Sequence, residues 1–190
     1  MLIHTGPKTI KTQRLILRKF ISEDAKAAFA NWAGDEKVQN DYGEPVYKTE
    51  EETKELLNKY IDRYQSGDSY RWAIDIADGE KCVGQIAYFI VDSNNMFCEI
   101  EYCIGERFQN KGFITEAVKA VTKYGFESVG FNRIQVSCRS VNTPSKRVIE
   151  KCDFTYEGVL REFFNHLGEF QDREYYSILK REWEVDNEHF

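Results

Sequence analysis

The stretch CEIEYCIGERFQNKGFITEAVKAVTKYGFE, residues 98–127, decides the fold of this chain. Its first residues alternate between apolar and polar side chains, which is typical of a β-strand with one buried face. From residue 113 onward apolar residues recur at helical spacing, and Gly130 follows as a helix stop. The next apolar segment, RIQVSC at residues 133–138, is again strand-like. Two strands joined by a helix predict a parallel, right-handed β-α-β unit over residues 98–138.

The segments around this unit contain more strands than helices. Before it, periodicity predicts strands at residues 14–20, 70–77, 81–91 and helices at residues 22–33 and 49–64, with a loop at 41–47. After it, the same signals predict a helix at 143–152 and a hairpin of residues 154–164 and 170–179 around a turn at 165–168. Thr49 and Glu52 have the spacing of a capping box. A chain of 190 residues with this order fits one mixed α/β domain.

The charge and composition of the chain exclude several classes of function. A net charge of −6 argues against general nucleic-acid binding, which requires a basic surface. The longest apolar run, Ile86 to Val91, is far shorter than the ~20 residues that cross a bilayer, and the N-terminus lacks the apolar core of a signal peptide. We therefore expect a cytoplasmic protein with no nucleic-acid or membrane partner. Five cysteines without a C-x-x-C pair and three scattered histidines predict free, buried thiols and no metal site.

The loop at residues 109–115 lies where a β-α-β unit binds ligands, between the carboxyl end of a strand and the start of a helix. Backbone N–H groups at a helix start attract anions, Gly112 permits a close approach of the backbone, and Lys111 adds a charge suited to phosphate. The loop has neither the Walker A nor the G-x-G-x-x-G pattern. The alternative is a helix capped by Asn110 or Thr115, with Gly112 as an ordinary turn residue.

Residues 98–127 resemble the central motif of the GNAT superfamily of acetyl-CoA-dependent N-acetyltransferases, in which a strand leads into Gln/Arg-x-x-Gly-x-Gly/Ala and a helix. The matching positions are Gln109, Gly112 and Ile114, and Ile114 stands where the family usually has a small residue. With TQRLILRKF near the N-terminus and the closing hairpin, the similarity covers nearly the whole chain. The resemblance implies a single GNAT-like domain over residues 1–190, with a central, mostly antiparallel twisted sheet and helices on both faces.

A second stretch, NRIQVSCRSVNTPSKRVIEKCDF at residues 132–154, is similar to a segment of the ribosomal-protein N-terminal acetyltransferase branch. The residues that match the Asn-x-x-Ser-x-x-x-x-Glu-Lys-x-Gly-Phe pattern are Asn142, Ser145, Glu150 and Lys151. Asp153 replaces the glycine of that pattern. We expect a left-handed backbone at this position, which Asp tolerates better than most residues.

The resemblance implies acetyl-CoA as a cosubstrate and assigns the residues that bind it. In this family the backbone N–H groups of one loop bind the pyrophosphate, and the pantetheine arm lies between the strand that ends at Ile104 and the strand at 133–138. Asn142 is similar to a residue that contacts this arm. The loop positions are Gln109, Asn110, Lys111, Gly112, Phe113, Ile114 and Thr115.

The resemblance also assigns candidate catalytic residues, of which we rank Ser145 and Glu101 first. Ser145 is similar to a serine suggested to protonate the departing thiolate, although it could instead cap its helix. Many GNAT enzymes have a tyrosine acid in this helix, and Ile149 stands at that position here.

A general base is harder to choose from the sequence. Glu99 and Glu101 share one face of a strand, and Glu101 lies nearer its carboxyl end. The alternative is that both are solvent-facing strand residues. Glu162 and His166 on the last hairpin are further candidates.

The expected reaction is the transfer of an acetyl group to an amine by direct attack. A protein or peptide N-terminal α-amine is the leading acceptor, because an amine with a pKa near ~8 is already partly neutral. A small amine such as a polyamine, an amino acid or an aminoglycoside is the first alternative, and a non-catalytic acyl-CoA-binding module is the second. The acidic chain favours a cationic partner through steering, or its charge only confers solubility. The sequence leaves monomer and homodimer open.

Overall fold

The computed structural model describes residues 1–166 and 168–187, with the backbone alone for residues 186 and 187. Leu167, in the predicted turn, and residues 188–190 lie outside the described part of the chain. The described strands are β1 (Ile10–Lys11), β2 (Leu15–Arg18), β3 (Tyr70–Ile76), β4 (Gly84–Asp92), β5 (Phe97–Ile104), β6 (Arg133–Arg139), β7 (Thr155–His166) and β8 (Glu169–Leu179). They form one sheet in the order β1-β2-β3-β4-β5-β6-β8-β7, in which β5 and β6 are parallel and the other neighbours are antiparallel.

The described helices lie mostly where periodicity and capping residues predict them. They are α1 (Ala25–Ala28), α2 (Glu36–Tyr42), α3 (Glu50–Arg63), α4 (Phe113–Tyr124), α5 (Thr143–Glu150) and α6 (Lys180–Asn187). The predicted helix at 22–33 is confirmed as a 3-10 turn, α1 and a π turn in succession. The Thr49 side chain accepts the Glu52 N–H at 3.1 Å and caps α3 as predicted. The other half of the box is shifted, because the Glu52 carboxylate accepts the N–H of Lys48.

Helices cover both faces of the sheet, as the resemblance implied. On one face α4 and α5 pack on an apolar cluster that includes Ile100, Val121 and Ile149. On the opposite face α1 and α3 pack on a smaller cluster that includes Leu57 and Cys103. Because side chains alternate along a strand, successive residues of β5 point to opposite faces of the sheet.

The predicted parallel unit is confirmed, and its two strands separate partway along their length. The pairing between β5 and β6 runs from Phe97 opposite Arg133 to Ile100 opposite Val136. Both strands continue beyond this point, to Ile104 and Arg139, and each keeps its antiparallel neighbour on the other side. The carboxyl halves of β5 and β6 therefore border a gap in the sheet and expose their backbone edges to it.

Three short elements were not predicted from the sequence. The strand β1 has only two residues, and α2 ends inside the predicted loop at 41–47. An Asp35 side chain that accepts the Val38 N–H at 3.0 Å caps α2. Five of the eight residues of α6 are charged, so its sequence shows no apolar stripe at helical spacing. Its Trp183 ring packs on Phe126 with 5.4 Å between centroids. This contact is tertiary, so the local sequence of α6 does not predict it.

Candidate active site

The gap between β5 and β6 opens into a cavity of about 320 Å³. The residues that line it come from both faces of the sheet. Tyr102 and Cys138 point to the face of α4 and α5, whereas Glu101, Ser137 and Arg139 point to the opposite face. The cavity therefore opens to both faces of the sheet.

Most of the loop from residue 109 to 115 lines one end of this cavity. The Gln109 N–H donates to the Glu106 carbonyl at 3.1 Å. Asn110 and Gly112 have left-handed φ values of 59° and 77°. None of the N–H groups from Asn110 to Thr115 donates a hydrogen bond within the described residues, and the Glu116 N–H begins the ladder of α4 by donating to Gly112. Left-handed turns beside a helix start group such N–H donors into a concave anion site. The loop thus has the donors that a pyrophosphate requires.

The capping alternative for this loop is wrong. The N-cap of α4 is Gly112, and no side chain makes a capping hydrogen bond there. The Ile114 side chain, only 7% exposed, is part of the apolar cluster under α4. Gln109 donates from its amide to the Ile104 carbonyl at 3.4 Å and ties the loop to the end of β5. The Lys111 ammonium lies 5.7 Å from the centre of the Phe108 ring, on the loop's outer side.

Arg14, just before β2, holds the loop in place. Its guanidinium donates to the Lys111 carbonyl at 2.9 Å and lies 4.9 Å from the centre of the Phe113 ring. It also forms an ion pair with Glu116 at 2.6 Å. Partial burial opposes the ionised form of Glu116, but the hydrogen bonds from Thr12 and Arg14 hold the pKa of this carboxyl below its ordinary value. A residue about a hundred positions away in sequence thus fixes the loop, which no local pattern indicates.

The helix α5 places Asn142 and Ser145 on the cavity wall. Asn142 caps the helix, because its side-chain oxygen accepts the Ser145 N–H at 3.1 Å. The alternative in which Ser145 is the capping residue is therefore wrong. The Ser145 hydroxyl lies 2.8 Å from the Tyr102 hydroxyl, so two hydroxyl groups meet at the wall. After α5, Asp153 has the expected left-handed backbone, with φ of 62°.

Tyr102 is a candidate that the sequence did not reveal. Ile149, at the position of the family's usual tyrosine, is buried in the apolar cluster and does not line the cavity. Tyr102 comes from β5 instead and places a phenol beside Ser145. Burial raises the pKa of this phenol above its ordinary value, and the hydrogen bond with Ser145 only partly offsets this. Tyr102 is therefore protonated at neutral pH and acts as a hydrogen-bond donor.

On the opposite face, Glu101 is half-buried and paired. Arg71 of β3 donates to one oxygen of the Glu101 carboxylate and also to the side chain of Gln85. The Arg71 guanidinium lies 4.3 Å from the centre of the Tyr60 ring of α3. The second Glu101 oxygen accepts no hydrogen bond from the described residues. This oxygen is the one left free to accept a hydrogen bond.

The other acidic and basic candidates lie elsewhere. Glu99 is 3% exposed and is bound by the side chains of Gln135 and Ser137, so the solvent-facing alternative is wrong for it. Glu162 and His166 do not line the cavity. Glu44, which the sequence did not indicate, is near Glu101. Burial, and then the charge of Glu101, raises the pKa of Glu44 above its ordinary value.

The hairpin of β7 and β8 closes the same side of the cavity against α2. Arg139 donates to the carbonyl groups of Asn40 and Asp41 at 3.1 and 3.3 Å, where the helix dipole is negative. The Phe164 ring packs against Gly43 just beyond this helix end. Arg173 of β8 donates from its Nε to the Ser137 hydroxyl at 2.8 Å.

Comparison with known proteins agrees with this geometry. The sequence model of the acetyltransferase (GNAT) domain matches residues 14–155. The chain belongs to the GNAT acetyltransferase family. It is 30% identical to the uncharacterized N-acetyltransferase p20 of Bacillus licheniformis over 176 residues, which cover 93% of this chain and 98% of p20. A GNAT-family acetyltransferase structure from Bacillus anthracis is 31% identical with a TM-score of 0.81, covering 92% of this chain and 99% of that one.

This GNAT chain is an acetyl-CoA-dependent N-acetyltransferase, and structures of the same fold have been solved with coenzyme A or acetyl-CoA bound. One relative is the ribosomal-protein-serine acetyltransferase of Escherichia coli K12, 28% identical over 120 residues, 62% of this chain and 66% of that protein. Among the described residues, no cluster of His, Cys, Asp and Glu has the arrangement of a metal site, and no helix is long and apolar enough to span a bilayer. All five cysteines are free and buried, as predicted.

Proposed function

We propose that this GNAT enzyme acetylates the α-amine of a protein or peptide N-terminus, by direct attack on acetyl-CoA in a ternary complex, with residues 1–190 acting as one domain. The observation that carries the proposal is the cavity through the sheet, with Ser145 and Tyr102 on one face of it and Glu101 on the other. The likeness to a ribosomal-protein-serine acetyltransferase supports an N-terminal acceptor.

Acetyl-CoA supplies the activated thioester in this reaction. The N–H groups of residues 110–115 fit its pyrophosphate, because they are uncommitted donors at the positive end of the α4 dipole. The free edges of β5 and β6 fit the amide groups of its pantetheine arm, as a further strand would. Asn142 uses its side-chain oxygen for the helix cap, so its amide N–H₂ group is the part available to the arm.

The acceptor amine enters from the face of Glu101. The uncommitted Glu101 oxygen orients the amine and accepts its proton, directly or through a water. Arg71 fixes the carboxylate and keeps a counter-charge beside it. The amine nitrogen then bonds to the thioester carbon, and the C–S bond breaks. The amine loses one proton and the thiolate gains one, so the protons balance.

Ser145 and Tyr102 stabilise the leaving thiolate by hydrogen bonding. When Tyr102 donates to the Ser145 oxygen, the Ser145 proton is free to point into the cavity. Neither hydroxyl is acidic enough to protonate a thiolate fully, because a thiol has a pKa near ~8.5 and both hydroxyl groups are weaker acids. Their contribution resembles that of an oxyanion-hole donor, whose loss lowers kcat by roughly 10²- to 10³-fold.

The experiment measures thiol release from acetyl-CoA with N-terminal peptides of ribosomal proteins beside spermidine and free amino acids. We expect release with peptides, and kcat reduced about 100-fold by Ser145→Ala and about tenfold by Tyr102→Phe, with little change in the Kd of coenzyme A. Ser128→Ala, in the π turn Gly125–Val129 that follows α4 and not among the residues that line the cavity, is the control. If coenzyme A binds but no amine releases thiol, the chain is a binding module and the proposal is wrong.

A further inference from the structure

Among the described residues, Arg173 is the basic group on the acceptor side of the cavity that has no acidic partner. Arg71 is paired with Glu101, and Arg139 is paired with Asp41 at 3.5 Å. Arg173 lines the same cavity and makes no ion pair with the part of the chain that the structure describes. A half-buried guanidinium without a counter-charge is costly unless a ligand supplies one.

The orientation of Arg173 is fixed, whereas its outer nitrogens are uncommitted. Its Nε donates to Ser137, which in turn donates to the buried carboxylate of Glu99. Its guanidinium lies 5.2 Å from the centre of the Phe164 ring, which holds the planar group over the cavity wall. The two Nη groups donate no hydrogen bond within the described residues. Two adjacent N–H groups of a fixed guanidinium match the two oxygens of a carboxylate.

The anion that Arg173 fits does not belong to coenzyme A. Arg173 and Arg139 are directly paired across β8 and β6, so they share the face of Glu101. The uncommitted N–H groups that fit the pyrophosphate lie at the start of α4, which covers the other face. An anion at Arg173 therefore enters with the acceptor.

We propose that the acceptor carries a carboxylate close to its reacting amine and that Arg173 binds this carboxylate. The inference rests on the proposed acetyl transfer and narrows its substrate class. Glu101 receives the amine and Arg173 receives the acid, so the cavity is complementary to a molecule with both charges. The carboxylate belongs to an acidic side chain next to the N-terminal residue of a peptide, or to the α-carboxylate of a free amino acid.

The test compares pairs of acceptors in which the carboxylate of one member is replaced by an amide in the other. Ser-Asp-Ala-Ala-amide is paired with Ser-Asn-Ala-Ala-amide, and serine with serinamide, in the thiol-release assay at fixed ionic strength. We expect kcat/KM to be about tenfold or more higher for the acid in one of the pairs, and that pair identifies the source of the carboxylate. Spermidine, which is only cationic, should be a poor acceptor beside Arg139 and Arg173. Equal kcat/KM values within both pairs would overturn the inference, while thiol release in the same assay would leave the acetyl transfer standing.

Variants assign the preference to Arg173. Arg173→Gln should bring the acid-to-amide ratio close to one, whereas Arg161→Gln, an exposed arginine of β7 outside the cavity, should keep the wild-type ratio. Circular dichroism and the Kd of coenzyme A check that both variants fold. A ratio that survives Arg173→Gln would overturn the assignment.

A binding measurement decides the inference even where turnover is absent. In the presence of coenzyme A, calorimetry should show that the acetylated acid of the preferred pair binds about tenfold more tightly than its amide. Equal affinities in both pairs would refute the carboxylate site without any reference to turnover.

Discussion

Gly112→Ala should weaken coenzyme A binding by a predictable amount. The glycine has a φ of 77°, and a left-handed backbone costs a residue with a Cβ about 1–2 kcal/mol. The new Cβ would lie 3.3 Å from a terminal nitrogen of Arg14, the far end of a flexible side chain, so the steric contribution is small. Arg14 holds the loop through the Lys111 carbonyl and the Phe113 ring, whereas no N–H group of residues 110–115 is hydrogen-bonded within the described protein. Relief of the strain would therefore turn these N–H donors away from the positions that coenzyme A requires.

The strain therefore appears in the affinity rather than in the stability. A penalty of about 1–2 kcal/mol corresponds to a roughly 5- to 30-fold higher Kd for coenzyme A in calorimetry. Gly130→Ala is the matched control, since Gly130 has a φ of 89° and no neighbouring atom within 4 Å of an added Cβ. Hydrogen bonds from residues 130 and 131 to Gly125 hold that helix end, so the same strain should lower the Tm by about 2–8 °C and leave the Kd unchanged. A Gly112→Ala protein that binds coenzyme A like the wild type would refute the role of this loop.

Three further variants test other parts of the site. Glu101→Gln should lower kcat/KM for the amine by about 10²-fold or more, with unchanged coenzyme A affinity, and a normal pH–rate profile in this variant would exclude Glu101 as the base. Ile149→Ala should lower the free energy of unfolding in urea by about 2–5 kcal/mol, because it leaves a cavity under α5; a loss below about 1 kcal/mol would contradict the packing. Glu116→Gln should destabilise the protein at neutral pH, since the folded state lowers the pKa of Glu116. The difference from wild type should disappear as the pH falls below about 4.3 through the lower folded value, and a constant difference would show that the ion pair is not the cause.

The parts of the fold set by local signals were predictable. The β-α-β unit follows from a change of period between two strands, and the end of its helix follows from Gly130, which caps it with a left-handed backbone. The left-handed backbone of Asp153 followed from its place in a familiar pattern. In each case the physical cause lies within a few residues of its effect, so the sequence carries the information directly.

The parts that depend on distant contacts were not predictable. Tyr102 meets Ser145 from a strand 43 residues earlier in the chain, and Arg14 holds Lys111 across 97 residues. Arg173 makes no ion pair with the described residues because Arg71 and Arg139 pair with the acidic residues Glu101 and Asp41. Only the folded arrangement decides this pairing. The sequence identified the loop and the serine through resemblance, but it could not supply their partners.

The early separation of β5 and β6 also has a mechanical consequence. Within the described sheet, the backbone connection between the five strands before the gap and the three after it is short. It consists of four residue pairs, from Phe97 opposite Arg133 to Ile100 opposite Val136, and of the hydrogen bonds from the N–H groups of Asn132 and Arg133 to the Met96 carbonyl. The sheet therefore consists of two parts, strands β1 to β5 and strands β6 to β8, which are joined by a short hinge. A molecule that binds along the unpaired edges of β5 and β6 would extend that hinge and resist rotation of one part of the sheet against the other. A molecule bound in the gap would then make the acceptor side of the sheet more rigid, without displacement of any single residue.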